Sequence, residues 1–249
     1  MSPVSAETPT IIATSIGFQK RERGLLDWHA GPVFNLAIAL ARPSAMPRIC
    51  FLATAVGDAS DYIRAAYSAL SELDVRVSHL NVFPMPNYAD VRGHLLSQDV
   101  IWVGGGSVVN LLAVWRAHAL DQILHECWQS GVVLGGVSAG SLCWHVGGTT
   151  DSFGPNLQPV SNGLGWLPFA NGVHFDSEPQ RRPLLHALVG DGRLPTAYAT
   201  DDGVGLVYHG TQMVETVSGE DGKFAYLIER PDAATASVRE TRLTPRLLR

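Results

Sequence analysis

Short runs of consecutive apolar residues alternate with longer amphipathic stretches through the first part of the chain. Thr10-Ile-Ile-Ala-Thr-Ser-Ile-Gly17 predicts a first strand entering a glycine turn, and Val33 to Arg42 predicts a helix stopped by Pro43 and Pro47. Arg48 to Thr54 reads as a buried strand, and Asp58 or Ser60 as the cap of a helix to about Leu73. Val75 to Val82 and Asp99 to Val103 predict two more strands, Asn110 to Gln129 a helix in one or two pieces, and Gly131 to Val137 a fifth strand. Strands that lack polar alternation are covered on both faces, which is the pattern of a parallel sheet. The predicted class is therefore α/β, a doubly wound, mostly parallel sheet with helices on both faces.

After about residue 150 the pattern changes. Gly, Pro and Asn become frequent, and Ala197 to Glu229 predicts strands joined by tight turns at His209-Gly-Thr and Ser218-Gly-Glu-Asp-Gly. This part is expected to form an antiparallel C-terminal extension of the same sheet. Without a repeat, a low-complexity tract or a linker, 1–249 is expected to form one domain, with 1–9 and 235–249 frayed.

Composition narrows the function classes. Of 249 residues, 46% are hydrophobic and 16% charged, and the formal charge is −5, so no basic field is present to attract nucleic acid. The basic stretch Lys20-Arg21-Glu22-Arg23 is too short and too mixed to serve as a phosphate-binding surface. Cys50, Cys127 and Cys143 show neither disulfide nor zinc spacing, so the expected compartment is reducing and cytoplasmic. The N-terminus shows no basic and apolar leader pattern, and the apolar run Val33 to Ala41, broken by Asn35, is too short to span a bilayer. Neither a membrane nor a metal enters the expected function.

The candidate chemistry lies at predicted strand ends, where ligands collect in a parallel sheet. Gly136-Val-Ser138-Ala-Gly140 follows the fifth strand. In Gly-x-Ser-x-Gly the serine sits on a tight strand-to-helix turn that small neighbours allow to close, and the next amide can bind a developing oxyanion. That amide belongs to Ala139. Gly104-Gly-Gly106 follows the neighbouring strand and offers a second donor. It lacks the third glycine of a dinucleotide fingerprint and the lysine of a P-loop, so no cofactor is expected.

A serine hydroxyl needs a base, normally a histidine oriented by an acid. His145, seven residues after Ser138, would lie roughly 10 Å away along a continuing helix. His174 lies instead in a loop-rich stretch able to cover the sheet edge. Asp202, in Asp201-Asp202-Gly203, and Asp151, in Gly148-Thr-Thr-Asp151, are the competing acids.

Together, residues 101–112 with their triple glycine, Gly135-Gly-Val-Ser-Ala-Gly140, Thr149-Thr-Asp151, Gly172-Val-His-Phe175 and Asp202-Gly203 resemble the peptidase E family of aspartyl dipeptidases, with cyanophycinase a more distant relative. The resemblance covers about residues 45–230. It implies a class I glutamine-amidotransferase-like fold and a peptide-cleaving serine enzyme, with Ser138 as nucleophile and His174 as base. Asp202 would be the acid, with Asp151 second in line, and Gly106 and Ala139 the oxyanion donors. It also implies a small peptide substrate and a homodimer or higher oligomer. The loop after His174 is shorter than in the Asp-specific dipeptidases. Arg181 is the candidate carboxylate reader, with Arg182 next. Two rivals remain: an esterase using Ser138, Asp202 and His209, and a non-catalytic binding domain.

Overall fold

The computed structural model describes residues 6–20, 28–232 and 237–249. The expected basic stretch at 21–23 and the expected fraying at 1–5 and 235–236 lie outside these residues. In chain order the strands are β1 (Thr10–Thr14), β2 (Gln19–Lys20), β3 (Trp28–His29), β4 (Arg48–Leu52), β5 (Arg76–Leu80), β6 (Val100–Val103), β7 (Val133–Val137), β8 (His145–Thr150), β9 (Gln158–Val160), β10 (Leu167–Gly172), β11 (Ala197–Thr200), β12 (Val204–His209), β13 (Gln212–Ser218), β14 (Ala225–Glu229), β15 (Arg239–Leu243) and β16 (Arg246–Leu247). The helices are α1 (Pro32–Ala41), α2 (Ser60–Leu70), α3 (Val91–Leu96), α4 (Val108–Ala117), α5 (Leu120–Gln129), α6 (Ala139–Leu142) and α7 (Arg181–Gly190).

An eight-stranded sheet runs β16-β13-β12-β1-β7-β6-β4-β5, and its segment from β1 to β5 is parallel. Successive residues on these strands point to opposite faces. Ile12, Phe51 and Trp102 pack with Phe34 of α1 and Leu70 of α2. Ile11, Cys50 and Ile101 pack on the other face with Leu112 of α4 and Leu124 of α5. Both faces are dry, which is why these strands carry no polar alternation.

The C-terminal half is organised differently from the expected single sheet. Only β12, β13 and β16 join the first sheet, with β12 antiparallel to β1. The other strands form a second, six-stranded sheet, ordered β15-β14-β11-β10-β8-β9. In it β10 lies parallel to both β8 and β11. Residues 239–243, expected to fray, pair along β14 over five positions. Asp58 does not cap α2; its carboxylate accepts the amides of Val82 and Phe83 instead.

Candidate active site

Ser138 follows β7 at the carboxyl end of the parallel segment and has φ +57° and ψ −111°. A non-glycine residue in this region carries backbone strain of about 1–3 kcal/mol, held only where the surroundings over-determine it. The flanking glycines show what does so. A Cβ on Gly136 would lie 2.5 Å from the Gly140 carbonyl oxygen and 2.7 Å from that of Val103, and a Cβ on Gly140 would overlap the same Val103 carbonyl. The elbow therefore closes directly against β6. The Ser138 hydroxyl is half-buried and makes no hydrogen bond among the described residues.

Across from it, the turn after β6 brings Gly105 to the serine; a Cβ there would lie 3.3 Å from Ser138 Cβ. The Gly105 amide donates to the Tyr62 hydroxyl at 3.3 Å. The amides of Gly106 and Ala139 have no acceptor among the described residues and lie on the two turns that meet at Ser138. Gly106 has φ +135°, and a Cβ on it would sit 2.5 Å from the Ala55 carbonyl oxygen, so only glycine fits this turn.

His174 and Asp202 leave adjacent parallel strands of the second sheet, β10 and β11, at their carboxyl ends. The His174 Nδ1–H donates to Asp202 Oδ1 at 2.5 Å. A carboxylate can only accept, so this bond fixes the proton on Nδ1 and leaves Nε2 as an acceptor. The same bond holds the Asp202 carboxyl below the usual carboxylate range. His174 also has a positive φ, +54°.

Two consecutive residues at the end of β1 tie the serine to the histidine. The Thr14 carbonyl accepts the Ser138 amide at 3.0 Å. The Ser15 hydroxyl accepts the His174 amide at 3.1 Å and meets the Thr200 hydroxyl at 2.8 Å. A second tie runs from α6 to β10, where the Ser141 hydroxyl donates to Asn171 Oδ1 at 2.8 Å. Neither Thr14 nor Ser15 stands out in the sequence, since each is simply a small polar residue at a strand end.

The remaining candidates separate cleanly. Asp151 lies exposed on the wall of an open cleft of about 490 Å³, shared with Ser177, Glu178 and Gln180, and makes no bond to His174. The structure thus brings Asp202 to the histidine and leaves Asp151 in the adjoining cleft. The expected carboxylate readers are otherwise engaged. Arg181 is only 2% exposed, with Nε on Glu178 at 2.8 Å and Nη1 on the Thr149 carbonyl. Arg182 stacks on the rings of Phe175 and Tyr226, at 4.3 and 4.4 Å from their centroids, and pairs with Glu240. At the start of α7, Arg181 is thus turned toward β8 and Arg182 toward β14 and β15.

His209 pairs with Thr10 at the far end of β1, while Ser138 follows the Val137 that pairs with Thr14. The two ends are roughly 13 Å apart at the usual strand rise. His145 is distant for a different reason from the expected one. The helix after Ser138 is a single turn, and His145 begins β8, fully buried between the Ser141 carbonyl and the Tyr208 hydroxyl. The three cysteines are free and buried, and burial pushes the Cys50 and Cys127 thiols up to about 12, far from thiolate chemistry. Among the described residues no helix is long and apolar enough to cross a membrane.

Fold and site together are those of a mixed α/β protein with a strained serine at the carboxyl end of an interior parallel strand. The chain belongs to peptidase family S51, whose family model matches residues 34–216, and it is a peptidase. It is 42% identical over 192 residues to the uncharacterized peptidase YgaJ of Bacillus subtilis (strain 168), covering 77% of this chain and 82% of that one. A crystal structure of a peptidase from an acI-B1 actinobacterium superposes with a TM-score of 0.66 at 16% identity, over 98% of this chain and 96% of that one. A 1.5 Å crystal structure of a protein assigned as peptidase E, from Listeria monocytogenes EGD-e, gives 0.57 at 17% identity over 94% and 98%. At these identities the two structures speak to the fold alone.

Proposed function

We propose that this peptidase cleaves short peptides through an acyl-enzyme on Ser138, with His174 as general base and Asp202 as its orienting acid. The supporting observation is the His174–Asp202 hydrogen bond of 2.5 Å, braced through Thr14 and Ser15 to the strained Ser138. With Nδ1 donating to Asp202, Nε2 is the nitrogen available to take the serine proton as the hydroxyl attacks the scissile carbonyl. The unoccupied amides of Gly106 and Ala139 would stabilise the tetrahedral oxyanion, a contribution of about 2.7–4 kcal/mol per donor in comparable sites. Protonated His174 then returns its proton to the leaving amine, and water repeats the cycle on the ester.

Substrate selection follows from which charges are free. The cleft lined by the loop after His174 carries the exposed Asp151, whereas Glu178, Arg181 and Arg182 are committed to internal partners. A preference for an N-terminal Asp is therefore not part of this proposal, and neutral or basic N-terminal residues are expected to be cleaved at least as well. The test is a dipeptide and tripeptide library hydrolysed by wild type, Ser138→Ala and His174→Ala. Both variants should lose turnover while remaining folded. Hydrolysis by Ser138→Ala at the wild-type rate would overturn the mechanism, and cleavage confined to N-terminal Asp substrates would overturn the specificity.

A further inference from the structure

The short loop after His174 does more than connect. Its Asp176 carboxylate accepts the main-chain N–H of Asp202 on Oδ1 at 2.8 Å and the Lys223 ammonium on Oδ2 at 2.5 Å. Lys223 comes from the connection between β13 and β14, next to Phe224, whose amide and carbonyl both bond Asp201. Three segments distant in sequence therefore converge on the turn that carries Asp202. The Asp202 side chain is 41% exposed, so the direction of its carboxylate depends on the turn and on its hydrogen-bond partners, His174 and Ser177.

The charges explain why a lysine completes the set. Two carboxylates on neighbouring loops repel. Lys223 offsets the Asp176 charge, so Asp176 can keep a charge-assisted hydrogen bond to the Asp202 amide. We propose that Asp176, held by Lys223, is a positioning residue that fixes the Asp202 turn so that its carboxylate meets His174 Nδ1. This proposal rests on the assignment of Ser138, His174 and Asp202 above.

Labelling of Ser138 by a fluorophosphonate probe tests it without a known substrate. Asp176→Ala should lower the maximal inactivation rate by roughly 10- to 100-fold, the cost of a displacement of up to about 1 Å, with the half-saturating probe concentration unchanged. Asp176→Asn keeps the Oδ1 acceptor and should recover most of that loss. Lys223→Met should also slow labelling, by leaving Asp176 uncompensated, and it serves if Asp176→Ala fails to fold. Wild-type labelling rates in Asp176→Ala or in Lys223→Met, or an Asn variant as impaired as the Ala variant, would overturn the positioning role. Failure of the underlying assignment looks different: wild type itself would go unlabelled, or Ser138→Ala would label equally.

Discussion

At the scale of single residues, two of the histidines, His174 and His145, show how environment decides chemistry. His174 lies at the surface end of a strand, facing a carboxylate, with one ring nitrogen left to accept a proton. His145 is sealed in the core, and burial pushes its pKa down to about 4 from an ordinary 6.5. Between those two values the unfolded chain binds a proton that the folded chain refuses. Stability is therefore complete above about pH 6.5 and falls as the pH drops toward 4, by about 3 kcal/mol in all from this residue. In urea unfolding at pH 7 and pH 5, His145→Gln should lose less stability between the two than wild type. Equal losses would show that His145 is not the source. Asp202 acts in the same sense for a different reason: the bond from His174 lowers its carboxyl, so its contribution is complete above the usual carboxylate range and is lost as the pH falls from there through the lowered value.

At the scale of elements, the turn after β7 is set by close packing against β6. Val103 and Gly136 are register partners, and the single-turn helix α6 folds back so that Gly140 meets the Val103 carbonyl. Adding one methyl at Gly140 must push α6 away from β6, at a cost of about 1–3 kcal/mol by the usual penalty of overpacking. Because Ser138 is the N-cap position of α6, the displacement also moves its hydroxyl. Gly140→Ala is thus expected to lower both the unfolding midpoint and the labelling rate of Ser138. A variant that unfolds and labels like wild type would contradict the close-packing account.

At the scale of the whole molecule, the site lies where two sheets meet, and no single sheet contains it. Ser138 comes from the first sheet, His174 and Asp202 from the second, and β1 joins them through Thr14 and Ser15. Removing the Ser15 hydroxyl leaves the His174 amide and the Thr200 hydroxyl without this partner. A buried donor so orphaned costs about 1–3 kcal/mol. Ser15→Ala should accordingly destabilise the protein by that amount in denaturant titration and slow fluorophosphonate labelling. Unchanged values of both would mean that the junction is held elsewhere, for instance by the Ser141–Asn171 bond.

The sequence by itself determined what depends on neighbours along the chain. Apolar runs such as Ile49 to Leu52 announce strands buried on both faces, and Gly136-Val-Ser-Ala-Gly140 announces a tight turn because its small residues are adjacent. His174 and Asp202 were also legible, as chemically suited residues near strand ends. Tertiary structure decided what depends on pairing between distant segments. Strands β8 to β11 carry no local mark of which sheet they join, because hydrogen-bond partners are set by register with strands far away in sequence. For the same reason only the folded chain separates Asp202 from Asp151, buries Arg181, stacks Arg182 on Phe175 and Tyr226, and reveals Ser15, Asp176 and Lys223. A hydrogen bond reads distance and angle in space, and neither is written into the spacing of residues along the chain.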